Sequence, residues 1–168
     1  MRAMAMGFVL MVMASAMQGQ QPAMQPPADT VKDFTSSADV TAMIAKAKSE
    51  RKEGQPLVSQ RLLQMAPYSV NLEYRPSVGP ASLHEQEAEI FYVVDGAGTL
   101  VTGGKLVGET RSNATNLTGT GIEGGTSRKI AKGDFIMIPE KTPHWFSAID
   151  ETLVLMSAHV PRPVAATP

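Results

Sequence analysis

Two short segments of this chain carry side chains that can ligate a metal ion. The first is His84-Glu85-Gln86-Glu87-Ala88-Glu89, which runs straight into the β-rich stretch Ile90-Phe91-Tyr92-Val93-Val94 and ends at Asp95-Gly96. The second begins about fifty residues later as Gly133-Asp134-Phe135-Ile136-Met137-Ile138-Pro139 and leads to Pro143-His144-Trp145-Phe146. Imidazole and carboxylate both offer lone pairs near neutral pH and suit divalent transition metals. Two of the three histidines in the chain lie in these segments. The third, His159, stands near the end of the last alternating run, before Pro161 and Pro163, where a surface position is expected. The absence of cysteine excludes disulfides, thiolate nucleophiles and Cys-ligated zinc.

Side chains that meet from distant segments need a scaffold of short strands, and the sequence supplies one. Between Leu57 and Val160 the hydropathy period falls towards two, with strands expected over 58–63, 69–75, 90–94, 98–102, 127–130, 134–138, 144–148 and 152–160. Gly and Pro punctuate them, as in a closed barrel or jelly roll that hides its strand edges. Alternation puts Glu89, Phe91 and Val93 on one strand face, so a carboxylate at 89 can point inward. Residues 103–125 form a polar, Gly- and Thr-rich excursion, longer than an ordinary hairpin connection, which reads as a lid over the mouth or as a plain surface flap. Ahead of the strands, Ser37 is placed as N-cap of a helix over 37–53, with Asp39 in its first turn. Val40, Met43, Ile44 and Ala47 recur at helical spacing and are expected to pack outside the barrel.

The two segments together resemble the paired signature motifs of the cupin superfamily, small β-barrels that often hold one metal ion. The resemblance covers roughly residues 68–160. It implies an all-β fold, a single cupin-type barrel or jelly roll with one N-terminal helix packed outside. In that pattern His84 takes the second histidine position of the first motif, Glu89 its glutamate and Gly96 its closing glycine. Gly133, Pro139 and His144 take the corresponding places in the second motif. The implied metal ligands are His84, Glu89 and His144, holding one divalent transition metal ion (Fe, Mn, Zn or Ni). Two imidazoles and a carboxylate resemble the facial triad of non-haem iron sites, which leaves open positions for substrate, oxygen or water.

The departures are equally specific. Ser82 occupies the other histidine position of the first motif, Lys141 replaces a glycine after the proline, and Ala148 replaces an asparagine. Gln86 is near enough in sequence to substitute for the missing ligand if the strand register shifts. Gln86, Phe91 and Phe146 are the expected substrate contacts, while Trp145 is expected to pack outside. Tyr74, Arg75 and Tyr92 fit substrate contact and ordinary packing equally well. Glu85 and Glu87 are expected to flank the mouth as solvated carboxylates. Cupin barrels often pair through strands, so the resemblance also implies a homodimer.

Composition narrows the partners. A net charge of −1 and a sequence pI of about 6.3 give no global field for nucleic acid. The glycines at 103–104 and 121–125 do not open a helix after a strand, so no phosphate cradle is expected. No serine stands in a nucleophile elbow. The amino terminus reads as an export signal over 1–16: Arg2 supplies a positive charge, Ala3 to Met13 are uncharged, and Ala14-Ser15-Ala16 gives the small-x-small cleavage pattern. That apolar run is shorter than the ~20 residues that span a bilayer, so no membrane association is expected after cleavage. A flexible Gln/Pro-rich spacer over 17–36, the helix, the barrel over 57–160 and a tail over 161–168 complete the expected organisation.

Three functions remain open at this point. One is an exported metal-dependent dioxygenase, isomerase or lyase acting on a small organic substrate. Another is a non-catalytic small-molecule-binding or sensing cupin with a degenerate metal site. The third is a structural barrel whose helix or lid engages a protein. On the motif reading, removal of His144 strips the metal, whereas removal of His159 leaves it nearly unchanged. The export reading predicts a soluble periplasmic product beginning at Met17, measurable by intact mass; a full-length chain lodged in the membrane fraction contradicts it.

Overall fold

The structure, a computed structural model, describes residues 31–162. The export signal over 1–16, most of the spacer and most of the tail therefore lie outside the described residues. Residues 31–36, assigned to the flexible spacer, run instead beside the first strand: Lys32 and Gln64 exchange two backbone hydrogen bonds of 2.8 Å, and the Thr35 hydroxyl donates to the Leu62 carbonyl. Helix α1 then spans Ser37–Glu50. Its N-cap is Ser36, one residue earlier than expected. The reason is a reciprocal capping box, in which the Ser36 side chain accepts from the Asp39 amide and the Asp39 carboxylate accepts from the Ser36 amide.

Eleven strands follow among the described residues: β1 (Val58–Met65), β2 (Tyr68–Arg75), β3 (Ala81–His84), β4 (Glu87–Thr102), β5 (Lys105–Val107), β6 (Thr110–Arg111), β7 (Asn116–Gly119), β8 (Gly121–Glu123), β9 (Thr126–Ala131), β10 (Phe135–Ile138) and β11 (His144–Pro161). The main ladder runs β1-β2-β11-β3-β7-β6, and β4 pairs with β11, β9 and β10. This path does not close on itself, so the architecture is a jelly-roll sandwich with an open seam. The 103–125 excursion is neither lid nor flap. It contributes β7, which pairs in register with β3, and the small two-stranded β5–β8 sheet.

The long strands β4 and β11 form the spine, paired from Glu87↔Pro161 to Thr102↔His144 with three register shifts. One face of the spine fills the interior with Phe91, Val93, Leu100, Phe146, Leu153 and Leu155, joined by Ile130, Ile136 and Ile138. The opposite face of β11, with Leu72 and Tyr74 of β2 and Leu62 of β1, packs under α1. The expected helix stripe of Val40, Met43, Ile44 and Ala47 makes that contact. Beneath the interior core, Arg75 donates from Nε and Nη2 to Glu73 Oε2 and lies 4.7 Å over the Phe146 ring. Arg75 is thus part of the inner packing, Tyr74 faces the helix, and Tyr92 stacks on Phe135.

The spine bends at Gly96, which has φ +83 and pairs with Leu153. A Cβ there would stand 1.9 Å from the Thr152 carbonyl oxygen, a backbone atom that has no rotamer to move into. Gly96→Ala therefore combines left-handed strain with a clash and is expected to cost about 2–4 kcal/mol. At about 2–4 °C per kcal/mol for a chain of this size, thermal unfolding should show a clear drop in Tm. An unchanged Tm contradicts this account of the bend.

Candidate metal centre

Four ionisable side chains from three strands meet at one end of the sandwich. His84 ends β3, Glu89 lies on the inward face of β4, and His144 and His159 stand near the two ends of β11. Their meeting follows from register. His144 pairs with Ser82 of β3, so His84 lies two residues along the same β3 face, while His159 pairs directly with Glu89. Glu89 is 4% exposed, Phe91 and Val93 are fully buried, and all three share the inner face expected from alternation.

Glu89 is the hub. Its Oε2 lies 3.2 Å from His84 Nε2 and 3.1 Å from His144 Nε2. Its Oε1 accepts a hydrogen bond of 2.5 Å from the Ser157 hydroxyl and lies 3.4 Å from His159 Nε2. The outer nitrogens are tied as well. His84 Nδ1 donates to Asn116 Oδ1 at 2.9 Å, His144 Nδ1 to the Thr142 carbonyl at 3.2 Å, and His159 Nδ1 to Glu87 Oε1 at 2.7 Å. Each of these partners is an oxygen with no proton to give, so each Nδ1 carries the hydrogen and each Nε2 faces Glu89.

The three motif residues His84, Glu89 and His144 are thus brought together. The set whose ligand atoms all lie within 4.8 Å of one another is His84, Glu89 and His159. His159, expected at the surface, is half-buried with its side chain 18% exposed, and its ring meets that of His84 edge-on at 5.2 Å. Glu87, expected to be a solvated carboxylate, is its hydrogen-bond partner. Glu85 is held by Arg111 through contacts of 2.7 and 3.0 Å. Gln86 does not replace the missing ligand. It sits exposed in the bend between β3 and β4, where its backbone carbonyl accepts from Arg162.

Phe91 and Phe146 lie behind the cluster rather than at an opening. Both are buried; Phe91 stands 6.0 Å from the His144 ring and 5.3 Å from Phe146. They form an apolar floor. Trp145 points the other way, donating to the Gly79 carbonyl at 2.9 Å. The partly exposed His84, Glu87 and His159 mark the solvent side. Asn116 comes from the excursion over 103–125, whose polar, Gly- and Thr-rich composition carries no signal for the role of its amide here.

The donor set fits a divalent metal. For ligand bonds of about 2.1 Å, adjacent corners of a coordination polyhedron are about 3.0–3.4 Å apart, which is the range seen around Glu89. Without an ion, the same separation at His84 requires a proton on its Nε2. Burial works against charge on His84, but hydrogen bonding and proximity to Glu89 outweigh it and raise its pKa above 6.5. Burial likewise opposes charge on Glu89, yet the hydrogen bonds from His144, His84 and Ser157 hold it well below the usual carboxylate range.

These directions fix a pH profile for protein kept in chelator. The lowered Glu89 stabilises the fold above its ordinary value of 4.5, a contribution lost only as pH falls through the lowered value. The raised His84 contributes fully below its ordinary 6.5, and that contribution is lost as pH rises through the raised value. Metal-free protein should therefore melt highest between those two values and lower at about pH 8. His84→Gln should flatten the alkaline side. A Tm that climbs steadily from pH 6 to about pH 8 contradicts the pairing.

Comparison with known proteins places this geometry in a family. The family model described as Cupin matches residues 55–163, more than half of the chain and all of the site. No curated protein sequence matches. Solved structures sharing the fold include a Bacillus halodurans protein, 14% identical over 82% of this chain and 87% of that one, with a TM-score of 0.50. Another is a cupin superfamily protein from Desulfitobacterium hafniense, 12% identical over 78% of this chain and 97% of that one, also with a TM-score of 0.50. At these identities the structural likeness is one of fold. The sequence match carries the assignment: this chain belongs to the cupin family.

Proposed function

We propose that this protein is an exported cupin that holds one divalent transition metal ion (Fe, Mn, Zn or Ni) at His84, Glu89 and His144 and presents it to a small organic molecule. The observation that carries the reading is the direction of the lone pairs. Two imidazoles donate outward from Nδ1, and their Nε2 atoms meet within 3.2 Å of one oxygen of a buried carboxylate. A ligand set of that kind, held by outer hydrogen bonds, needs little rearrangement to bind an ion. When bound there, the ion supplies a Lewis acid for a substrate oxygen.

The rest of the site belongs to the chain. Phe91 and Phe146 close the inner side against water, so the substrate must enter past His84 and Glu87. Ser157 holds Glu89 Oε1 and so fixes the carboxylate plane. Dioxygenation, isomerisation or lyase chemistry is the enzymatic form of this reading. A non-catalytic binder is favoured by one observation: Ser157, Asn116 and Glu87, the polar side chains around the cluster, are each already engaged in hydrogen bonds. Export is supported by the apolar run and Ala14-Ser15-Ala16 at the amino terminus.

Elemental analysis of periplasmic protein, purified without an affinity-tag metal step, should find about one transition metal per chain. His144→Ala and Glu89→Gln should each weaken binding by at least about 10–100-fold. Protein that binds none of Mn, Fe, Ni or Zn overturns the reading. A ligand recovered chemically unchanged after prolonged incubation with metal-loaded protein favours the binder over the enzyme.

A further inference from the structure

The first cupin motif lacks one imidazole in this chain, because Ser82 occupies its place. We infer that His159, on the last strand and outside both motifs, supplies that imidazole from the other side of Glu89, so that the metal centre has four protein donors. This inference rests on the metal-binding reading above and specifies its ligand set.

Three observations carry it. His159 Nε2 lies 3.4 Å from Glu89 Oε1 and belongs, with His84 and Glu89, to the set of ligand atoms lying within 4.8 Å of one another. Its orientation suits ligation, since Nδ1 is held by Glu87 Oε1 at 2.7 Å and Nε2 is the nitrogen that faces inward, 3.4 Å from both Glu89 Oε1 and Ser157 Oγ. This is the arrangement in which an outer carboxylate orients a metal-bound histidine. Finally, the register is complementary. Ser82 pairs with His144 at one end of β11, and Glu89 pairs with His159 at the other, so a ligand lost from β3 can be replaced across the site by β11. A serine hydroxyl is a poor donor for a divalent transition metal, whereas an imidazole held by Glu87 is a good one. Four donors fill a tetrahedral shell but leave two places in an octahedral one. Only a metal that accepts five or six ligands then keeps room for substrate.

The test counts imidazoles and measures affinity in the full-length mature protein. Cu2+ is added to metal-free protein as a spectroscopic probe, and the electron spin-echo modulation from remote imidazole nitrogens is read. Wild type should show three imidazoles and His159→Ala two, while Ser82→His combined with His159→Ala should return to three. Ni2+ affinity should fall by at least about 10–100-fold in His159→Ala and recover in the double variant. Glu87→Ala should weaken Ni2+ binding more than Glu87→Gln, whose amide oxygen still accepts from Nδ1. Wild type that binds metal through two imidazoles, with His159→Ala unchanged in affinity, overturns this inference and leaves the metal reading standing. Wild type that binds no metal overturns both. The wild-type count needs no variant, so a poorly folded substitution does not blunt the test.

Discussion

A carboxylate taken out of water is the constraint around which this molecule is arranged. Glu89 is 4% exposed and packs directly above Phe91 and Val93. An ionised group at such a site costs several kcal/mol unless charge and hydrogen bonds replace its hydration. Three imidazoles and a serine hydroxyl do so here, one imidazole delivered by β3 and the other two, with the hydroxyl, by the distant β11. The interior therefore has two zones. Leu153 and Leu155 extend the apolar core along β11, and Ser157 and His159 continue the same face into the polar end.

That constraint reaches outward through a second layer. Asn116, Thr142 and Glu87 each hold one Nδ1. They come from β7, from the turn before β11 and from the start of β4, so the excursion over 103–125 contributes directly to the site. The bend at 84–86 is pinned from three directions: Lys141 donates its amide to the His84 carbonyl, Arg111 clasps Glu85, and the Arg162 amide reaches the Gln86 carbonyl. Each clamp restrains the short link between two neighbouring cluster residues, His84 and Glu89. Preorganisation of this sort lowers the cost of ordering ligands when an ion or substrate arrives.

Much of this was legible in the sequence, and the parts that were not share physical reasons. The jelly roll, the helix stripe and the inward face of Glu89 followed from hydropathy period and alternation. His84 and His144 followed from motif spacing. His159 did not, because β11 is covered on both sides. Leu153, Leu155, Ser157 and His159 face the interior, while Val154 and Met156 face α1, so apolar residues on both faces erase the alternation that would have shown which way His159 points. The excursion hides its strands for a related reason. Strands of two to four residues, such as β6 and β7, are too short to show a period, and their pairing with β3 is settled by tertiary register. The role of Glu87 leaves no local signal, because it depends on a histidine 72 residues away.

The central claim is that Glu89 and the imidazoles around it form a metal centre. The most direct measurement is anomalous X-ray scattering from crystals of protein purified without added metal or an affinity-tag metal step. The account predicts one strong peak per chain, about 2.0–2.2 Å from a Glu89 oxygen and from the Nε2 atoms of His84 and His144. A cluster that stays closed on itself, with Glu89 still hydrogen-bonded to the imidazoles after soaking in Mn2+, Fe2+, Ni2+ and Zn2+ and no anomalous peak among them, would contradict it.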